Sequence, residues 1–244
     1  MTWSEVEFTL GWLGDFLDQV ARRWSILPMG RWHGQDAAIL RHDIDLDLEP
    51  ALRMAQWEQI RGFQATHFVL TTSDCYNPFS ATGRRMIQRI QECGGEIGLH
   101  FDPTLYPAQE LQAAAESEAT QLARVTGRPV TTVSLHCPHR LESLPLFTGF
   151  TNAYDSRIFG PTRYLSDSSR RFRNSPEEFL KQASGPIQLL FHPLHFQHEE
   201  HTYPEIFRVH VNHWLARIDQ EHRAVNHNFR DQIPLSLAQT LGHR

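Results

Sequence analysis

Apolar residues recur along this chain with two different periods. Leu10, Leu13, Leu17, Val20 and Trp24 fall at helical spacing behind Ser4 and Glu7, a pair spaced like a capping box. They predict an amphipathic helix over about 4–24. Short apolar and β-branched runs at 38–40, 65–70, 96–100, 130–136 and 187–192 predict strands. Between them lie helical stripes. One starts at Glu49-Pro50 and stops at Gly62; another carries Met86, Ile87 and Ile90 and ends at Gly94. A third covers about 108–126 and closes on Gly127, a fourth opens at Ser175-Pro176-Glu177-Glu178, and a long one runs from Pro204 to about Arg223. Pro, Gly and Ser scattered over about 138–175 predict an irregular region above a site, and the tail after Val225 carries no readable pattern. The order βαβαβαβ predicts parallel strands with helices between them. That is an α/β barrel or a doubly wound sheet, with 1–244 as a single domain.

Composition narrows the function classes. A net charge of -5 and a pI near 6.3 give no support to a nucleic-acid partner held through phosphates. No stretch has the length and apolarity of a membrane span, and the start, with Glu5 and Glu7, lacks a basic segment followed by an apolar run. Three cysteines, Cys75, Cys93 and Cys137, fit a reducing compartment. A soluble cytoplasmic protein is expected. Fifteen histidines are the unusual feature. His195, His198 and His201, interspersed with Glu199 and Glu200, read as a solvated loop, and Phe and Trp along the last helix read as a core stripe.

The strand ends carry the chemistry. Side chains alternate along a strand, so Asp43 and Asp45 share one face and His42 takes the other. Two adjacent carboxylates repel unless a cation or a proton intervenes. His100, His136 and His192 each end a later strand on its less apolar face. In barrels and open α/β sheets that carboxyl end is where sites are built. Two carboxylates and three histidines converging there suit Zn²⁺ or a similar ion with one open position. His67, inside a strand, is expected as a packed, hydrogen-bonded core histidine, with site lining as the second reading, and Cys137 is expected to face away from His136.

The chain resembles the polysaccharide deacetylases of carbohydrate esterase family 4, the NodB-like superfamily, and in particular a cytoplasmic-type branch found among surface-polysaccharide genes. The matching words are LRHDID (40–45), ATHFVL (65–70), YNPFS (76–80), EIGLHFD (96–102), SLHCP (134–138), YLSDS (164–168) and LLFHP (189–193), in family order over about 38–193. The resemblance implies an irregular (β/α)7 barrel. It implies Asp43 as general base, Asp45 and His100 as metal ligands and His192 as general acid, with Arg41 or Arg140 holding the base carboxylate. It also implies N-deacetylation of a sugar or polysaccharide-precursor substrate, and it places Asp167 near the pocket, a position that a turn aspartate also explains. One position departs from the pattern: Thr104 stands where the family has a second His or Asp. The third ligand is therefore expected to be His136 from strand parity, with Asp102 in reserve. Thr104 also motivates the alternative of a barrel that has lost catalysis and binds a glycan or a protein partner. A His-Asp phosphohydrolase built on His42-Asp43 is disfavoured, because such domains are all helical and this pair sits on a strand. The 138–175 loops carry no code for the substrate.

Overall fold

Helices and strands alternate as α1 (Leu10–Ala21), β1 (Ser25–Leu27), β2 (Ala37–Ile44), α2 (Leu48–Arg61), β3 (Thr66–Leu70), α3 (Ala81–Glu92), β4 (Glu96–Phe101) and α4 (Leu111–Thr126). The series continues with β5 (Thr132–Leu135), β6 (Thr151–Asn152), β7 (Tyr164–Ser166), α5 (Pro176–Gln182), β8 (Ile187–Leu190), α6 (Tyr203–Val225), α7 (His227–Gln232) and α8 (Leu237–Thr240). This is a computed structural model, which describes residues 6–173, 175–233 and 235–241. Two compact units divide the chain, Met1–His198 and Glu199–Arg244. All strands among the described residues lie in the first unit.

The helix boundaries follow from caps. Thr9 opens α1 by accepting the Trp12 N–H at 3.1 Å. The Ser4 cap expected from the sequence lies outside the described residues. Asp47 caps α2, which ends at Gly62 in the left-handed region (φ 78°), where a side chain would be strained. Ser175 caps α5 through the Glu178 N–H.

The sheet has eight strands in the order β6-β5-β4-β3-β2-β8-β7, with β1 beside the first half of β2, and every pairing is parallel. Setting β1 aside leaves seven strands around a curl, the expected irregular barrel. The curl is open: among the described residues no ladder joins β6 to β7. Gln188 of β8 bridges the gap instead, its amide donating to the Ala153 carbonyl just past β6 at 2.8 Å. The interior is tight. At Gly98 a Cβ would come within 2.5 Å of the Phe68 ring and 2.7 Å of Thr132 Oγ1, so only glycine fits.

Outward-facing residues of the same strands pack under the helices. Ala38, Leu40, Leu165, Leu189 and Phe191 join Leu13, Phe16, Leu17 and Val20 of α1 in one buried cluster. Val69, Leu99, Val133 and Leu135 join residues of α2, α3 and α4 in another. In the second unit Phe207 and Trp214 of α6 are 41% and 46% exposed, so the expected core stripe does not form there; Ile206 and Leu215 are the buried residues of that helix. No helix among the described residues is long and apolar enough to cross a membrane.

Candidate active site

The carboxyl ends of β2, β4, β5 and β8 open into a cavity of about 550 Å³. Asp43, Asp45, His100, His136 and His192 all line it. Ladder register explains the convergence. Parallel pairing sets His100 beside Ser134, and one further backbone bond, His136 N to Phe101 O at 2.7 Å, carries the β5 alternation on to His136.

Asp45, His100 and His136 form a near-equilateral triangle of donor atoms. Asp45 Oδ1 is 3.2 Å from His100 Nε2 and 3.3 Å from His136 Nδ1, and the two nitrogens are 3.2 Å apart. A tetrahedral zinc ion with bonds of about 2.0–2.1 Å sets its ligands about 3.3–3.4 Å apart, so these edges match three corners of such a site. Two other buried groups share the same residue types. In His42–Glu58–His67 the shortest contact is 2.6 Å, and in Asp167–His192–His195 the contacts are 2.6 and 2.8 Å. Those are charge-assisted hydrogen-bond lengths, too short for two ligands of one ion. The distances therefore separate one metal-type site from two proton-sharing clusters. The reserve residue Asp102 belongs to none of them; its carboxylate accepts from the Thr104 N–H and hydroxyl. Burial acts to raise the Asp45 pKa, but hydrogen bonds and charge from His100, His136 and His192 hold it well below the usual carboxylate range. The Asp45 bond in turn raises the His136 pKa.

Asp43 is held from one side only. Its Oδ2 accepts from Arg41 Nη2 at 3.3 Å and Ser134 Oγ at 3.2 Å, while its Oδ1 is buried without a hydrogen-bond partner. Arg41 is fully buried, with its guanidinium 5.4 Å from the centre of the Tyr154 ring and 5.7 Å from those of Phe68 and Tyr164. Burial alone would lower its pKa; the Asp43 carboxylate together with the Tyr164 and Tyr154 side chains outweighs that and keeps it charged. Of the two arginines weighed from the sequence, Arg41 contacts Asp43, and Arg140 is exposed.

His192 is clamped by Asp167, which is completely buried. The carboxylate accepts the His192 backbone N–H at 3.0 and 3.1 Å and faces its Nδ1 at 2.6 Å, leaving Nε2 3.7 Å from Asp45 Oδ2. Burial would lower the His192 pKa, but the Asp167 charge and hydrogen bond, with the charges of Asp45 and Asp43, push it up to about 9. Asp167 also meets His195 Nδ1 at 2.8 Å.

Several sequence expectations change here. His195 is buried and part of the clamp rather than a solvated loop residue, because Pro193 opens a single 3-10 turn that folds it back beneath Asp167. Cys137 does not face away from His136. It leaves the strand with φ 46°, and this left-handed step swings its Sγ to 3.3 Å from His136 Nε2. His67 is buried, as expected, with Nε2 3.4 Å from Glu58 Oε2.

No family model matches this chain. No curated protein matches it either. Among solved structures it is similar to the wild-type BA3943 protein of Bacillus anthracis, a CE4 family pseudoenzyme, with a TM-score of 0.45 and 15% identity over 70% of this chain and 60% of that one. It is also similar to the peptidoglycan deacetylase PdaC from Bacillus subtilis (TM-score 0.42, 16% identity, 77% and 97% covered). A third is the chitin deacetylase of the fungal pathogen Colletotrichum lindemuthianum (TM-score 0.43, 15% identity, 69% and 78% covered). The chain spans less than two thirds of the BA3943 structure.

Proposed function

We propose that the protein is a metal-dependent amide hydrolase that removes the acetyl group from an N-acetylated sugar or sugar-like substrate. The observation that carries this reading is the Asp45–His100–His136 triangle, lying in one cavity with a carboxylate that has a free oxygen and a histidine held in its protonated form. Asp45, His100 and His136 would hold the ion, and the two-nitrogen, one-oxygen donor set favours Zn²⁺. The ion would polarise the acyl carbonyl and acidify water.

The remaining work falls to the protein. Arg41 and Ser134 fix Asp43 Oδ2, so Oδ1 is the atom that takes the proton from the attacking water. Asp167 fixes His192 through Nδ1, so Nε2–H is the proton delivered to the leaving amine. The Tyr154, Phe159 and Tyr164 rings on the cavity wall suit the apolar face of a sugar. A reducing, cytoplasmic setting belongs to the same reading, supported by the free thiols of Cys75, Cys93 and Cys137.

The test combines metal analysis of the purified protein with acetate release from N-acetylated sugars. One ion per chain, with turnover abolished in Asp43→Asn, is expected. Full turnover by Asp43→Asn would overturn the assigned base. Absence of both metal and acetate release would favour a barrel that only binds a glycan, the alternative raised by Thr104.

A further inference from the structure

Past Leu190, the last residue of β8 paired with β2, the chain must still deliver His192 to the cavity. Phe191 does so from a fully buried position. Its N–H donates to the Arg41 carbonyl at 3.1 Å, but with the ladder finished its own carbonyl has no strand partner. A buried carbonyl left unpaired is costly, and the group that satisfies this one comes from the outer face of β2. His42 Nδ1 lies 2.7 Å from Phe191 O. A carbonyl only accepts, so Nδ1 carries a proton. The other ring nitrogen, Nε2, lies 2.6 Å from Oε1 of Glu58 on α2, and both residues are almost wholly buried. Glu58 thus fixes the ring, the ring fixes the Phe191 carbonyl, and the next residue is His192.

We propose that His42, oriented by Glu58, is the positioning residue for His192: a buried pair outside the barrel that sets, through one peptide, where the acid stands inside it. His42 touches neither the cavity nor the triangle. It acts on the carbonyl side of the Phe191–His192 peptide, while Asp167 holds the His192 backbone N–H and its ring. The catalytic consequence rests on the hydrolase reading above; the placement itself does not.

The test uses three variants and a readout independent of turnover, the Nδ1 proton resonance of His192 in its bond to Asp167. Asn carries its amide near the place of Nδ1, whereas Gln reaches toward Glu58 and leaves no donor for Phe191. His42→Leu and His42→Gln are expected to shift or broaden away the His192 resonance, and His42→Asn to keep it. In acetate release, Leu and Gln should lower kcat by about 100-fold, the scale of a misplaced catalytic group, with KM and bound metal unchanged; Asn should recover most of the rate. If His42→Leu fails to fold, the contrast between Gln and Asn decides. Equal resonances in those two variants, or an unperturbed resonance in folded His42→Leu, would overturn the proposal even if the protein is an active hydrolase. If no substrate is turned over by the parent protein, the hydrolase reading fails while the resonance still decides the positioning role.

Discussion

His192 Nδ1 lies 2.6 Å from Oδ1 of Asp167, a carboxylate with no exposed surface. The contact is the main reason a largely desolvated histidine is charged: desolvation favours the neutral ring, and the Asp167 carboxylate, with the charges of Asp45 and Asp43, outweighs it, lifting the pKa from 6.5 to about 9. A reaction that needs the protonated ring is then supported below about pH 9 and lost as the pH rises through that value. In Asp167→Asn the strongest lifting charge is gone, burial remains, and the charges of Asp45 and Asp43 still act. The alkaline limb of the kcat profile should move down from about 9 toward about 6.5, which lowers the protonated fraction, and with it kcat at pH 8, by up to about 30-fold. A variant whose alkaline limb stays near pH 9 would remove Asp167 from this role.

The Asp45–His100–His136 triangle predicts the response to metal removal. Chelation should abolish acetate release, and added Zn²⁺ should restore it. His136→Ala leaves two of three donors and should weaken the ion at least as much as loss of an outer hydrogen-bond partner does, about 10–100-fold. Competition with a chromogenic chelator measures this without a substrate. Unchanged affinity in His136→Ala would move the third ligand elsewhere.

Arg41 and Asp43 form an ion pair with both side chains essentially out of solvent. Removing one member of such a pair strands the other, at a cost of about 3–5 kcal/mol. Arg41→Met should therefore lower the stability measured by urea unfolding by that amount and also release Asp43 Oδ2. Lysine should not substitute well, because a point charge does not reproduce a planar guanidinium set among Phe68, Tyr154 and Tyr164. Full stability in Arg41→Met would show that Asp43 is not held through this pair.

Alternation along strands made much of this site legible beforehand. The period of two put Asp43 and Asp45 together and His42 apart from them, and it brought His136 forward where Thr104 left a position unfilled. It stopped being informative where the chain leaves the ladder. Cys137 turns through a left-handed step that no alternation predicts. β1, β6 and β7, at three, two and three residues, are too short to show a period. His195 was masked by its resemblance to His198 and His201, although a proline after His192 followed by a histidine three places on fits one face of a 3-10 turn. Glu58 carried a signal too. It extends the buried stripe of Leu48, Ala51, Leu52 and Ala55 on α2, a phase where a carboxylate needs a partner.

That partner gives the pair a pH signature. Burial acts to raise the Glu58 pKa, but the His42 charge and hydrogen bond draw it down from 4.5 to about 2, and the same pairing raises His42 above 6.5. A depressed carboxylate stabilises the fold above its ordinary pKa, and that contribution is lost as the pH falls from about 4.5 through about 2. A raised histidine contributes fully below about 6.5 and loses its share as the pH climbs through its folded value. Glu58→Gln removes both contributions and leaves His42 neutral, still able to donate to Phe191. Its Tm should lie below that of the parent near pH 5.5, and the gap should narrow as the pH is raised from about 6.5 through the folded value of His42, where the parent sheds the histidine's share and the variant no longer has to discharge a buried ring. Thermal unfolding followed by circular dichroism from about pH 5 to 9 measures it. Two curves that run parallel across that range would mean that Glu58 and His42 do not share a charge-stabilised proton.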